Sequence, residues 1–322
     1  MMRLLTQLLL AASLVEMVPA DVASLELQSL PEAENGRPVL QTIERAFQPL
    51  PPPSSDRAPE QVDVARLGVV TSAVSALVVD DASGQILFEK NAREVRAIGS
   101  LTKLLAAAVF LETEPDLSLS SAILPEDVRA GGRDHLYVED PLSLYNLLEA
   151  SLIGSDNPAT MALMRLSGHS QEAFVDRMNL RALSMGMTDS FFTEPTGLDA
   201  RNVSTSLDVV RLLDAVLDHP VIAEITRRGS ASFTSGTGRS YAFPSTNQLL
   251  QSYLNRDPYQ VLGGKTGFLP EAGYGLGVKV MDEAGHAIYS VVLGSETSSS
   301  RFQEVKGLSQ WAFDVFRWPD ER

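Results

Sequence analysis

Strand-like segments lie at both ends of this 322-residue chain and helix-like segments lie between them, which limits the possible folds more than any other feature. Gly84, between the first two strand-like runs, can adopt the positive φ that a hairpin turn needs. Because segments from both ends must pair around a helical middle, we expect an α+β fold, with a largely antiparallel sheet flanked by helices and an all-helical insertion. The strand-like runs are Ser75–Asp80, Gln85–Lys90, Tyr259–Phe268, Tyr274–Met281 and Ala287–Leu293.

Apolar residues at helical spacing mark the other elements. Most of these segments fall between residues 115 and 225, which we interpret as a helical subdomain. The predicted helices are Ser100–Glu112, Leu142–Leu152, Pro158–Leu166, Gln171–Leu183, Ser206–Leu217 and Arg301–Phe316.

The N-terminus has the pattern of a secretory signal over residues 1–20. Arg3 precedes an apolar run from Leu4 to Val15, and small residues follow, ending at Ala20. The run is too short to span a bilayer comfortably. The alternative is an uncleaved amphipathic helix, which would leave the protein loosely associated with a membrane. We therefore expect an exported, periplasmic protein.

A proline-rich linker is predicted over residues 21–67, before a catalytic domain at 68–320. It contains the run Pro51-Pro52-Pro53-Ser54-Ser55 among scattered charges. Such a segment buries too little apolar area to offset the entropy lost on ordering. Order is therefore expected to begin near Val69.

Composition excludes several classes of function. The formal net charge is −15 and no run of five Lys or Arg occurs, which disfavours nucleic acid as a partner. The chain has no cysteine, so thiol nucleophiles, thiolate metal sites and disulfides are excluded. No cofactor or metal is expected. We interpret the histidines as surface or packing residues; they are His135, His169, His219 and His286.

Three short strings carry the residues of a possible acyl-transfer site: Ser100-Leu101-Thr102-Lys103, Ser155-Asp156-Asn157 and Lys265-Thr266-Gly267. Each is weak alone, because Ser-x-x-Lys is expected about once by chance in such a chain and Ser-x-Asn recurs at Ser245-Thr246-Asn247. Their contexts differ, however. The first opens a helix, where positions i and i+3 share a face, the second follows a helix, and the third lies on a strand. Together they could form the walls of a cleft.

In this order, the three strings resemble the motifs of penicillin-recognising serine enzymes. Flanking strings over roughly residues 70–318 resemble the low-molecular-mass penicillin-binding D-alanyl-D-alanine peptidases, which include D,D-carboxypeptidases and D,D-endopeptidases. Glu194–Leu198 and Asn202–Thr205 resemble the short endopeptidase branch, which is penicillin-binding protein 7-like. The further matches are Ile98–Leu104, Met178-Asn179, Ser184–Met187, Thr246–Leu249 and Gly264–Phe268.

This resemblance implies a DD-peptidase/β-lactamase fold and a serine peptidase that acts on peptidoglycan stem peptides and cross-links. The reaction would pass through an acyl-serine intermediate, and β-lactams such as penicillins would be inhibitors. Ser100 would be the nucleophile and Lys103 its base, with a pKa lowered by burial and by the second cation, Lys265. Ser155 would shuttle a proton towards the leaving nitrogen, and Asn157 would bind Lys103 and a substrate amide.

The remaining site residues are also implied by the resemblance. Lys265 and Thr266, followed by Gly267, would hold the substrate's terminal carboxylate or the corresponding backbone group. The backbone N–H groups of Phe268 and of the nucleophile would form the oxyanion hole. Arg301 is either a carboxylate-binding residue or a surface residue at a helix start.

Several alternatives stay open at this stage. A class A-like β-lactamase needs a deacylating base, for which Glu194 is the candidate, although a structural role in its loop fits as well. Asp156 is interpreted as structural. A catalytically inactive domain that binds peptidoglycan or penicillin is another possibility. The sequence indicates neither the preference between carboxypeptidase and endopeptidase activity nor an oligomeric state or protein partner.

Overall fold

The computed structural model describes residues 58–66, 68–132 and 134–319. The predicted signal segment and most of the predicted linker lie outside these residues. Between helices, the chain forms 3₁₀ turns at Gly99–Leu101, Pro125–Asp127, Gln248–Gln251 and Tyr253–Asn255, and a π-helical turn at Ala150–Gly154. The α-helices are α1 (Thr102–Leu111), α2 (Leu144–Glu149), α3 (Asn157–Leu166), α4 (Gln171–Ser184), α5 (Ser206–Leu217), α6 (Pro220–Thr226) and α7 (Ser298–Val315).

A five-stranded sheet is the centre of the fold, with antiparallel pairing throughout. Its strand order is β10 (Gln260–Leu269), β11 (Gly273–Met281), β12 (Ala287–Ser295), β2 (Ser75–Asp80) and β3 (Ile86–Lys90). Strands from both ends of the sequence therefore share one sheet, and the predicted α+β class is confirmed. The strands are β1 (Glu60–Gln61), β2 (Ser75–Asp80), β3 (Ile86–Lys90), β4 (Arg96–Ala97), β5 (Ser120–Ser121), β6 (Leu142–Ser143), β7 (Val203–Ser204), β8 (Ser230–Thr234), β9 (Ser240–Pro244), β10 (Gln260–Leu269), β11 (Gly273–Met281), β12 (Ala287–Ser295) and β13 (Phe316–Arg317).

The sheet is covered by helices on both faces. Along β2, Leu77 and Val79 belong to one hydrophobic cluster, which includes α1, whereas Ala76 and Val78 belong to a second cluster, which includes α7. This division follows from the alternation of side chains along a strand. All six residues of β2 are consequently buried.

Helix α1 lies in the middle of the molecule. All ten of its residues are buried, and it packs against α3, α4, α5 and α6. A helix that is apolar on every side is stable only when it is surrounded by protein. The one charged side chain in α1, Lys103, is therefore also removed from water.

The structure differs from the sequence prediction in several places. The predicted helix Leu142–Leu152 begins as strand β6 and ends in the π-helical turn, and helix α6 was not predicted. The hairpin formed by β8 and β9 was also not predicted, although apolar residues alternate with polar ones along both strands: Ala231 and Phe233 on β8, Tyr241 and Phe243 on β9. Order also begins before Val69: β1 pairs with β13, and the indole of Trp311 donates to the Arg66 carbonyl at 3.0 Å. Contacts between residues distant in sequence therefore order the end of the proline-rich segment.

Among the helices that the structure describes, none is both long and apolar enough to cross a membrane.

Candidate active site

Ser100 lies in the 3₁₀ turn that leads into α1. This turn packs directly on strand β10. A Cβ atom on Gly99, whose φ is +55°, would lie 2.8 Å from the Phe268 nitrogen, and one on Gly267 would lie 2.1 Å from the Ile98 oxygen. Glycine is thus required at both positions, because any side chain would separate the turn from the strand.

Lys103 lies one helical turn after Ser100, and its amine contacts three oxygen atoms. The distances from Nζ are 3.0 Å to Ser100 Oγ, 2.5 Å to Asn157 Oδ1 and 2.5 Å to the Thr196 carbonyl oxygen. The two carbonyl-type oxygens can only accept hydrogen bonds. A neutral amine would donate its two hydrogens to them, and its lone pair would then face the Ser100 hydroxyl. This is the arrangement of a general base and its nucleophile.

Burial makes this neutral form accessible. The Lys103 side chain is fully buried, and desolvation lowers its pKa from 10.5 to about 7, although the carboxylates of Glu194 and Asp156 act in the opposite direction. The sequence predicted two causes for a lowered pKa of Lys103, burial and the neighbouring charge of Lys265. Burial is the cause found here, and the contribution of Lys265 stays a prediction.

Ser155 and Lys265 form the second polar pair of the site. Lys265 Nζ donates to Ser155 Oγ at 2.8 Å and to the Thr266 carbonyl at 3.2 Å, and the lysine is only 1% exposed. Ser155 follows the π-helical turn and has left-handed backbone angles, with φ 62° and ψ 33°. Such angles are uncommon outside glycine, because they cost free energy that the surrounding structure must offset.

Asp156 has a structural position beneath this pair. One carboxylate oxygen accepts the Ala159 amide at 2.7 Å, which caps helix α3, and the other accepts the His135 amide at 2.5 Å. Burial raises the pKa of Asp156. Since Asp156 makes the helix cap, the side chains of Ser155 and Asn157 are not needed for capping and contact Lys265 and Lys103 instead.

An open cleft of about 590 Å³ lies over these groups. Every predicted site residue lines the cleft except the two lysines, which are buried behind it. Three of the lining residues, Gly131, Gly132 and Tyr274, were not predicted from the sequence. The adjacent glycines were the one sequence signal for these residues. The structure shows why glycine is needed: a Cβ on Gly132 would lie 1.7 Å from Asn157 Nδ2. The lining residues are Ser100, Gly131, Gly132, Ser155, Asn157, Gly197, Leu198, Thr246, Thr266, Gly267, Phe268, Leu269, Pro270, Tyr274, Ser298 and Arg301.

Arg301 is not a surface residue, because it is 6% exposed and lines the cleft. Its Nη1 donates to the Gly267 carbonyl at 3.0 Å, and Nη2 donates to Ser298 Oγ at 3.3 Å. The guanidinium therefore ties the start of α7 to strand β10, while its charge lies at the cleft wall.

Glu194 does not line this cleft. One of its oxygens accepts the Thr196 amide at 2.7 Å, and the other accepts the Gly197 amide at 2.5 Å and Asn202 Nδ2 at 3.0 Å. Both oxygens are thus used to shape the loop that presents the Thr196 carbonyl to Lys103. These contacts favour the structural interpretation of Glu194 over a role as a deacylating base.

None of the four histidines lines the cleft. His135 stacks on Phe243 with ring centroids 4.6 Å apart, and His286 stacks on Trp318 at 4.7 Å. His219 caps helix α6. The interpretation of the histidines as surface or packing residues agrees with the ring contacts of His135 and His286, whereas the capping role of His219 was not predicted.

Comparison with known proteins identifies the family. The profile of the D-alanyl-D-alanine carboxypeptidases, peptidase family S11, matches residues 62–297. The chain belongs to this family. The S11 chain is 30% identical to a D-alanyl-D-alanine endopeptidase of Haemophilus influenzae over 230 residues, which covers 71% of this chain and 77% of that protein. It is 32% identical to a D-alanyl-D-alanine carboxypeptidase of Escherichia coli, covering 74% of this chain and 61% of that protein.

Solved structures of similar proteins identify the fold. The S11 chain superposes on the Streptomyces K15 DD-transpeptidase with a TM-score of 0.70 at 23% identity, covering 77% of this chain and 99% of that one. It also resembles penicillin-binding protein D2 of Listeria monocytogenes in its cefotaxime-bound form, with a TM-score of 0.64 and 30% identity over 76% of this chain and 98% of that chain. The DD-peptidase/β-lactamase fold that the resemblance implies is confirmed, as the fold of a DD-transpeptidase.

Proposed function

We propose that this S11 protein is a serine-type DD-peptidase that cleaves D-Ala-containing peptide bonds of peptidoglycan through an acyl ester on Ser100. The observation that carries the proposal is the contact between a buried amine, with a pKa lowered to about 7, and the Ser100 hydroxyl 3.0 Å away. A lysine with its ordinary pKa would be protonated at neutral pH and could not accept a proton.

The proposed acylation step follows from these positions. Ser100 Oγ attacks the D-Ala carbonyl carbon while Lys103 Nζ takes the hydroxyl proton. As the C–N bond breaks, the proton that Lys103 took from Ser100 passes through Ser155, which Lys265 holds at 2.8 Å, to the departing nitrogen, and Lys103 is neutral again. The N–H groups of Ser100 and Phe268 are proposed to bind the oxyanion, and losing one such donor costs about 2.7–4 kcal/mol in related chemistry. Water then hydrolyses the ester and restores the Ser100 hydroxyl.

For the substrate, we favour cross-linked peptides over free pentapeptide. The chain covers 77% and 76% of the endopeptidases of Haemophilus influenzae and Pseudomonas aeruginosa, which are 30% and 31% identical to it. It covers only 61% of the Escherichia coli carboxypeptidase. These relatives matched over about three quarters of their own length are endopeptidases by name.

Digestion of purified muropeptides tests this choice. Loss of cross-linked dimers supports endopeptidase activity, whereas conversion of pentapeptide to tetrapeptide supports carboxypeptidase activity. Ser100→Ala should abolish either reaction. Arg301→Ala addresses carboxylate binding: a larger fall in kcat/KM for pentapeptide than for dimer would support it, and unchanged turnover of both would oppose it.

A fluorescent penicillin separates this proposal from the two rival functions. A stable adduct on Ser100 is expected, because Glu194 is engaged by its own loop and lies outside the cleft. Rapid turnover of the drug would indicate a β-lactamase. A stable adduct without any peptide cleavage would indicate an inactive penicillin-binding domain.

The assignments outside the described residues are also proposals. We propose that residues 1–20 direct export to the periplasm and that a proline-rich linker precedes the catalytic domain. Sequencing the N-terminus of the protein from a periplasmic fraction tests the first, since cleavage after Ala20 is expected.

A further inference from the structure

His135 contacts the polypeptide on both sides of Ser155. Its ring Nε2 lies 3.1 Å from the Gly154 carbonyl oxygen, and its backbone N–H donates to Asp156 Oδ2 at 2.5 Å. A carbonyl oxygen can only accept, so the Nε2–H group must be the donor in the first contact. One residue thus holds both neighbours of Ser155.

Ser155 depends on such support because its backbone is unfavourable. A left-handed conformation at a non-glycine residue persists only where the surroundings impose it. The preceding π-helical turn ends at Gly154, where carbonyl groups lack partners within the helix. The His135 ring supplies the partner for the Gly154 carbonyl.

The His135 ring is itself held in place by the hairpin of β8 and β9. It stacks on Phe243 of β9 at 4.6 Å with an interplanar angle of 16°. A Cβ on Gly154 would lie 2.8 Å from His135 Cδ2 and 2.9 Å from Phe243 Cε2, so the stacked rings lie directly on this glycine. The contacts form a continuous path from the hairpin to Ser155.

We infer that His135 is a positioning residue: through its bond to the Gly154 carbonyl, it fixes the left-handed turn that directs the Ser155 hydroxyl towards Lys265. This inference rests on the proposed role of Ser155 in acyl transfer. His135 lies outside the cleft lining and is expected to act through Ser155 rather than on the substrate.

The first test compares two variants at this position. His135→Ala should lower kcat on a purified cross-linked muropeptide dimer roughly 10- to 100-fold, because small displacements of a reacting group reduce the rate steeply, with KM changing less than about twofold. His135→Gln retains an N–H donor for the Gly154 carbonyl and should recover most of that loss. Equal losses in both variants would overturn the role assigned to this hydrogen bond.

His286→Ala is the matched control. His286 also stacks on a ring, that of Trp318, but it lies beside the far end of β11 from the cleft. This variant should lower the melting temperature as His135→Ala does, yet leave kcat unchanged. If His286→Ala lowered kcat equally, the effect of His135 would be one of general stability and the inference would fail.

A double-mutant cycle shows whether His135 acts through Ser155. In a Ser155→Ala background, His135→Ala should cause no further fall in the rate of Ser100 acylation by fluorescent penicillin. An undiminished effect in that background would overturn the inference while leaving the proposed function intact. Failure of the unaltered protein to acylate at all would overturn the proposed function, and the inference with it.

Discussion

The chain contains the same three-residue pattern twice, and the two copies behave differently. In Ser155-Asp156-Asn157, the middle residue caps helix α3, and the outer side chains reach Lys265 and Lys103. In Ser245-Thr246-Asn247, the outer residues serve the backbone instead: Ser245 Oγ accepts the Asn247 amide at 3.1 Å, and Asn247 Oδ1 caps a 3₁₀ turn at Leu249.

The comparison shows that position in the fold, rather than residue type, decides which groups are available for chemistry. In the second copy the middle residue is the one that enters the cleft. Thr246 lines the cleft, and its hydroxyl accepts a hydrogen bond from Thr266 Oγ1 at 2.8 Å. In the first copy Asp156 makes the helix cap, and the side chains of Ser155 and Asn157 contact the two lysines instead.

The largest difference between the copies is expected at their serines. Ser155→Ala removes the proposed proton shuttle and should lower kcat/KM for muropeptide dimers by about 100- to 10,000-fold. Ser245→Ala should leave kcat/KM unchanged, because its hydroxyl contacts only the local backbone. Parallel initial-rate measurements test the pair, and similar losses in both variants would remove the distinction.

The asparagines should separate activity from stability. Asn157→Ala leaves one Lys103 N–H without its acceptor, which should cost about 1–3 kcal/mol, or roughly 5- to 150-fold in kcat/KM. Asn247→Ala removes a cap and should lower the free energy of unfolding by about 0.5–2 kcal/mol with little effect on rate. Urea denaturation and kinetics on both variants would contradict this account if the two effects were reversed.

A smaller effect is expected at Thr246. Thr246→Val keeps the shape but removes the hydrogen-bond partner of Thr266, which should cost about 0.5–1.5 kcal/mol, or roughly 2- to 13-fold in kcat/KM. Thr246→Ser retains the hydroxyl and should preserve the rate. If the valine variant were fully active, Thr246 would merely line the cleft.

The smallest change concerns the pH dependence at Asp156. Its carboxylate raises the pKa of Lys103, so Asp156→Asn should lower that pKa and move the acid limb of the activity profile to lower pH. The amide oxygen can still accept the Ala159 N–H and cap α3. The NH2 group would face the His135 N–H, and two donors cannot form a hydrogen bond, so a lower melting temperature is expected. A shift of the limb to higher pH would show that this sign is wrong.

Much of the site could be predicted because it depends on local spacing. The three-residue separation of Ser100 and Lys103 puts both on one face of a helix, and Lys265 was placed on a strand that could form another wall of the cleft. The sheet was likewise predictable from five strand-like runs.

The rest depends on contacts between distant segments. Nothing near Lys103 in the sequence indicates that the Thr196 carbonyl is its acceptor, since that contact joins residues 93 positions apart. The left-handed turn at Ser155 follows from a π-helical insertion that helical periodicity cannot show. The β8–β9 hairpin, in contrast, has an alternating apolar pattern in the sequence, but its contact with the site, the stacking of Phe243 on His135, is not visible there.

The central claim is that Lys103 is neutral when Ser100 attacks. The most direct measurement is the second-order rate constant for acylation of Ser100 by a fluorescent penicillin between pH 5 and pH 10, with mass spectrometry confirming the modified serine. The account predicts a rate that rises with pH to a plateau, with a midpoint at a pKa of about 7. A rate that continued to rise towards the ordinary lysine pKa of 10.5, or that did not depend on pH, would contradict it.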